Sequence, residues 1–436
     1  VKEFTLQEPG SPRWYENFMQ EKDGVEVDNT PRSKSRFSRN VWAVTITSFL
    51  NDISSEMLLN LLPLFLFNVL GARTAVIGLI EGIAETTSSL LKVLSGWFSD
   101  RLGSRKGLAL SGYSLSTLAK PFLYFATNWS WVLGVRFADR AGKGLRTAPR
   151  DALLADSVEE KRRGLAFGLH RAGDTAGAVI GLLTALVVLL YMQGHDRLLT
   201  REPFQKVVLL SMIPAILAVI VLAIGAKDVK WVRSRTNVLR IPFKALDKRF
   251  RWFLIIVILF TLGNSSDAFL ILRAQNAGLS VIGILGMMIT FNLIYALIST
   301  PAGALSDRIG RKRLLVAGWL FYSLVYWGFA YAQAGWQTWA LMAAYGLYYG
   351  LTDGVAKAFV ADLIPSERRG LAFGAYNAAV GLTALPASLI AGLLWQGVGS
   401  WDGFGPSAPF VFGAVLALMA SGLLVLMPQA LPNEIG

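Results

Sequence analysis

The sequence contains no cysteine and only two histidines, His170 and His195. Disulfides, thiolate metal sites and cysteine nucleophiles are therefore excluded, and a multi-histidine metal centre is not expected. Charge is scarce as well: 16% of the 436 residues are charged, against roughly 25% in an ordinary soluble domain. No G-x-S-x-G, H-E-x-x-H or Walker loop occurs, so an enzyme is not indicated and no cofactor or metal is expected. Alternating segments of about ten residues, the mark of a membrane β-barrel, are missing too. No apolar stretch precedes Val41, so no cleavable signal peptide is expected.

What is present is long apolar runs. A membrane-spanning helix needs roughly 20 mostly apolar residues. Twelve such runs lie at about 41–70, 75–98, 108–126, 131–155, 164–192, 207–226, 252–272, 280–304, 314–332, 339–361, 370–395 and 410–428. The expected fold is an all-α integral membrane protein of twelve spans. A polar tail (1–40) precedes them and a short one (429–436) follows. The first tail ends in Arg32, Lys34, Arg36 and Arg39, and its Trp14, Tyr15 and Phe18 are candidates for docking on a membrane surface.

The net charge of +13 raises the question of nucleic-acid binding. Its placement answers otherwise. Loops on one side carry Arg101, Arg105 and Lys106, then Lys161, Arg162 and Arg163, then Arg308, Arg311, Lys312 and Arg313, then Arg368 and Arg369. The middle loop, 227–251, carries nine Lys/Arg against two Asp. The opposite loops are nearly bare. The positive-inside rule then puts both termini and the middle loop in the cytoplasm, in a cell membrane, with no nucleic-acid partner.

Two segments recur half a chain apart. Residues 96–106, G-W-F-S-D-R-L-G-S-R-K, return as 303–313, G-A-L-S-D-R-I-G-R-K-R, at an offset of 207. Residues 162–168, R-R-G-L-A-F-G, return identically as 368–374, at an offset of 206. A looser echo is S-S-E at 54–56 and S-S-D at 265–267. The chain thus reads as two six-helix halves, 41–226 and 252–428, related by pseudo-two-fold symmetry and joined by the basic linker. Such symmetry places a substrate site between the halves near the bilayer midplane.

On these motifs the chain resembles transporters of the major facilitator superfamily, whose signature loop follows spans 2 and 8. The resemblance covers about 40–428. It implies a gating role for Gly96, Asp100, Arg101, Gly103, Arg105 and Lys106, and for Gly303, Asp307, Arg308, Gly310 and Lys312. In the family these loops bracket helix ends and steady the outward-facing state. An Asp that accepts from helix N–H groups and an Arg that grips a carboxylate suit contacts that break and reform. The family's span-4 pattern is met at Arg136, Gly142 and Gly144, while Arg140 replaces its first glycine. Its antiporters carry a Gly-Pro-rich span 5. Gly177 and Gly181 are kept, but Ala178 stands where the proline would be, which counts against export.

Charges inside spans are costly and usually face a cavity or one another. In span 4, Arg136, Asp139, Arg140, Lys143, Arg146, Arg150 and Asp151 fall within an arc of about 140°. Span 1 places Asp52 and Glu56 one turn apart with Asn60 following, and span 2 places Glu81, Glu85 and Lys92 on one face. Asp52, Glu56 and Asp267 are the candidate proton carriers, with Arg136 and Arg140 as the expected partners of the span-1 pair. The span-2 carboxylates read as structural. In span 5, His170, Arg171 and Asp174 join Arg150 and Asp151 as a gate network. Candidate substrate contacts are Arg136, Arg140, Lys143, Asn264, Tyr345, Tyr349, Asp353 and Lys357. The expected function is proton-coupled export of a small organic solute by a monomer using alternating access. Proton-coupled uptake of an organic anion or peptide-like solute is the alternative, and a transporter-fold sensor is a more distant one. Span 4 favours an anionic or zwitterionic solute; a cationic one would instead meet the carboxylates of spans 1 and 7.

Overall fold

The structure, a computed structural model, describes residues 37–102, 104–159, 162–194, 196–228, 247–364 and 369–427. The tail with Trp14, Tyr15 and Phe18, Gly103, Lys161, His195, most of the linker, Arg368 and the last residues lie outside the described residues, as does the side chain of Asp100.

Among the described residues the chain runs through twelve helical segments. They are α1 (Arg39–Val69), α2 (Thr74–Leu102), α3 (Arg105–Ala119), α4 (Trp129–Asp156), α5 (Arg163–Gln193) and α6 (Arg201–Gly225). Then follow α7 (Lys248–Asn276), α8 (Val281–Ile309), α9 (Arg311–Tyr331), α10 (Gly335–Asp362), α11 (Arg369–Gln396) and α12 (Ala408–Leu426). Polar residues mark several starts. The side chains of Ser38, Ser104, Asn128, Asp247 and Ser280 each accept a backbone N–H from the first turn of α1, α3, α4, α7 and α8. The all-α architecture expected from the sequence is the one observed.

The pairing of helices repeats at a shift of six. Helix α1 packs on α5 and α6, α2 on α4, and α3 on α4 and α6. Likewise α7 packs on α11 and α12, α8 on α10, and α9 on α10 and α12. Two further pairings, α2 with α11 and α5 with α8, exchange under the same shift, as a two-fold relation requires. Glycine permits the closest of these approaches. A Cβ on Gly177 or Gly181 of α5 would overlap the carbonyl oxygens of Phe49 and Ile53 of α1.

Eight of the segments are long and apolar enough to cross a membrane by composition alone. Of the others, α3 is only 15 residues long, while α2 carries Glu81 and Glu85, α4 its charged face, and α10 Asp353 with Lys357. The run at 252–272 is not one uninterrupted helix. Helix geometry stops after Gly263 and resumes at Ala268. The intervening Asn-Ser-Ser-Asp are residues whose side chains compete for backbone groups. Here Ser266 Oγ accepts from the N–H of Ala268, and Ser388 Oγ accepts from the N–H of Ser266. Pro301 and Pro386 remain inside continuous helices.

Candidate functional site

A cavity of about 420 Å³ lies between the first six and last six helices. Glu56 and Asn60 of α1, Glu81 and Glu85 of α2, and Arg136 and Arg140 of α4 line one wall. Asn264 to Asp267 at the break in α7, Phe291 and Asn292 of α8, Tyr349 of α10 and Ser388 of α11 line the other. The end of the cleft away from the basic loops is held shut. Thr74 donates its hydroxyl to Gly392 O and its backbone N–H to Gln396 Oε1, both at 2.9 Å. Arg73 donates to Gly399 O at 3.2 Å, and at mid-height Thr86 donates to Gly381 O at 2.7 Å. Beyond that level, towards the basic loops, Leu90, Val93, Leu94 and Phe98 of α2 are exposed.

On the first wall the α4 arginines are already partnered. Arg136 is buried and lies 2.6 Å from Glu81, with Asp139 at 3.7 Å. Arg140, also buried, lies 3.1 Å from Glu85. The expected partners, Asp52 and Glu56, are elsewhere: Asp52 accepts from Asn51 (3.2 Å) and is not on the cavity wall, while Glu56 accepts from Asn60 (3.0 Å). The reason is geometric. Helix α4 packs extensively on α2 and only slightly on α1. Helical spacing shows which residues share a face, not which neighbour that face meets. Behind this wall, buried Lys120 donates to Ser54 (2.7 Å) and Ser55 (3.1 Å), and Ser116 donates to Asp139. Lys120 was not singled out by the sequence reading; a lone lysine near the end of a short apolar run was its signal.

The second wall is aromatic. Tyr345, fully buried, donates to Asp267 (3.1 Å) and approaches Asn264 (3.4 Å). Tyr322 also donates to Asn264, at 3.3 Å. Tyr345 and Tyr349 pack edge to face at 5.2 Å, and Tyr349 meets Phe291 in the same way at 5.7 Å. Among the candidate substrate contacts, Arg136, Arg140, Asn264 and Tyr349 line the cavity. Tyr345 stands behind Asp267, and Lys143, Asp353 and Lys357 are not on the cavity wall. Among the candidate proton carriers, Glu56 and Asp267 line it. Neither has a cationic side chain within ion-pair distance among the described residues. No group of three or more metal-ligating side chains occurs among those residues either.

The sequence profile of the Major Facilitator Superfamily matches residues 44–289 and 252–434. The chain belongs to this superfamily. It is 38% identical over 395 residues to an uncharacterized MFS-type transporter of Methanocaldococcus jannaschii, covering 89% of this chain and 94% of that one. Multidrug resistance protein MdtG of Serratia proteamaculans is 32% identical over 150 residues, 34% of this chain and 35% of that protein. The crystal structure of nucleoside transporter NupG superposes with a TM-score of 0.73 at 14% identity, covering 90% of this chain and all of that one. That likeness is one of fold.

The superfamily loops and neighbouring charges form a second set of contacts. Arg105 pairs with Asp156, and the Arg101 guanidinium lies 5.3 Å from the Trp97 ring. In the second copy Arg311 reaches Asp307 (3.2 Å) and Asp362 (2.5 Å), while Arg308 is exposed. Lys312 donates to Val425 O and Met427 O at the end of α12. Arg150 donates to Asp151 (2.7 Å) and to Ser48 (3.0 Å). Arg171 donates to the Tyr295 hydroxyl across the α5–α8 contact, and Tyr295 donates to Asp353 (3.2 Å), which also pairs with Lys357 (3.0 Å). His170 and Asp174 are 3.7 Å apart.

Proposed function

We propose that this superfamily member exports a small organic cation in exchange for protons by alternating access, with its basic loops in the cytoplasm of a cell carrying it in its cytoplasmic membrane. One observation carries the reading. The cavity wall holds four carboxylates, Glu56, Glu81, Glu85 and Asp267, against two guanidinium groups, Arg136 and Arg140. Both arginines are taken by Glu81 and Glu85. This leaves Glu56 and Asp267, the repeat-related carboxylates of the S-S-E and S-S-D segments, one from each half. A carboxylate in a low-dielectric cavity is costly when charged and alone. A proton or a cationic solute relieves that cost, and competition between the two couples them. The paired arginines support a cation over the anion suggested by α4 alone. Phe291 and Tyr349 suit an aromatic or apolar body on that cation.

The cleft is closed at the bare end, which supports an inward-facing state in this orientation. Asp52 keeps a place in the proposal as a neighbour of Glu56 one helical turn away, and Asp353 with Lys357 and Arg171 as part of the gate. The test uses proteoliposomes loaded with a pH-sensitive dye and challenged with tetraphenylphosphonium, ethidium or an organic anion. The cations should drive proton movement in the opposite direction to their own. Glu56→Gln and Asp267→Asn should each abolish that exchange. Proton movement in the same direction as the solute would replace export with symport, and a response to the anion alone would overturn the substrate class.

A further inference from the structure

A second cavity lies far from the first, at the basic end of the pairing of α7 with α12. Its volume is about 410 Å³. Ile256, Leu423 and Leu426 form apolar walls, Trp252 stands beside them, and Lys248 and Arg249 stand at the mouth. Trp252, Leu423 and Leu426 are exposed at the protein surface, at 49%, 38% and 78%. In a multi-pass membrane protein, an outward groove between two spans is filled by lipid. What distinguishes this one is its ordering of chemistry: cations at the rim, a tryptophan next to them, aliphatic side chains along its length. Tryptophan favours the headgroup level of a bilayer, and lysine or arginine there attracts negative headgroups.

We propose that this groove is a binding site for an anionic phospholipid, with its phosphate at Lys248 and Arg249 and one acyl chain along Ile256 and Leu423. The N-terminus of α7 itself is not the anchor. The Asp247 carboxylate already accepts the backbone N–H of Arg249 at 2.6 Å. The side-chain cations carry the selectivity, and the apolar groove makes the ligand a lipid instead of a free phosphate. The end of α12 is fixed for the purpose by Lys312, which holds the carbonyls of Val425 and Met427 at 3.1 and 2.6 Å.

The test is native mass spectrometry and thermal unfolding of the full chain with added phosphatidylglycerol, phosphatidylcholine or soluble glycerol phosphate. Phosphatidylglycerol should be retained in preference and should raise the unfolding temperature, with glycerol phosphate unable to compete. A cation near the membrane surface contributes about fivefold, so Lys248→Ala with Arg249→Ala should reduce the preference about thirtyfold. Arg308→Ala with Arg313→Ala removes equal charge elsewhere on that membrane face and should leave it intact. Leu423→Trp fills the groove without touching charge and should lower lipid retention while the protein unfolds normally in phosphatidylcholine. Equal retention of both lipids, an unchanged preference in the first double variant, or equal losses in the two double variants would overturn the proposal. So would competition by glycerol phosphate.

Discussion

The two walls of the central cavity come from halves that share a scaffold, yet their chemistry has diverged. The first wall is ionic: Arg136 with Glu81 and Arg140 with Glu85, backed by Lys120 on two serines. The second is aromatic and neutral apart from Asp267, which is held by Tyr345. The second half does possess a buried arginine, Arg273, but it lies at the bare end and is satisfied differently. Its guanidinium donates to the carbonyls of Phe329, Ala330 and Ala332 and to the Asn276 side chain. The lesson is that the repeated helix pairings and loop motifs tolerate exchange of the cavity-facing residues. Fixed charge is concentrated on one wall, so the other is free to make apolar contact with a ligand.

That contrast can be broken most severely at Arg136. Arg136→Ala leaves Glu81 buried without its cation and should cost about 3–5 kcal/mol, read as a lowered midpoint of unfolding in detergent. Replacing both, Arg136→Met with Glu81→Leu, should recover most of the loss. A double variant no more stable than Arg136→Ala would show that the arginine acts through something other than its pair. Arg273→Ala should cost less, about 2–3 kcal/mol, because the carbonyls it abandons are neutral and carry no net charge into the interior. Equal losses at Arg136 and Arg273 would erase the distinction between ionic and neutral satisfaction. Tyr345→Phe should cost about 1 kcal/mol of stability by removing one hydroxyl from Asp267.

How much of this was legible beforehand depended on whether the information is local. Apolar run length gave twelve spans, and the duplicated loops gave the six-plus-six arrangement that the paired helix contacts display. The one-sided charge of α4 was equally plain, since it depends only on 3.6-residue periodicity. Which helix faces that stripe was not. Glu81 and Glu85 are visible as a face of α2 and read as structural, but pairing them with the arginines, which periodicity assigns instead to Asp52 and Glu56, requires knowing that α4 lies on α2. The break at Asn264 was available in the Asn-Ser-Ser-Asp composition, although the run around it reads as continuous. Tyr295 was missed because a single tyrosine in an apolar span has no periodic partner to draw attention to it. Its part in joining Arg171 to Asp353 exists only once α5 meets α8.

The smallest effect is expected in the second of the duplicated loops, where sequence likeness hides a difference in burial. Arg105 and Asp156 have side chains only 9% and 22% exposed. Arg311 is 30% exposed, and its partners Asp307 and Asp362 are 66% and 50% exposed. Solvent screens the second set far more, so Arg311→Ala should cost less than about 1 kcal/mol, and high salt should remove most of even that. Arg105→Ala should cost about 1–2 kcal/mol, with weaker salt dependence, because part of the desolvation of Asp156 is no longer compensated. Unfolding midpoints of the two variants at 0.1 and 1 M sodium chloride, both within the screening regime where a Debye length shrinks from about 10 to 3 Å, compare them directly. If the two arginines cost the same at both salts, the halves are equivalent at their loops, and the divergence of the molecule is confined to its cavity walls.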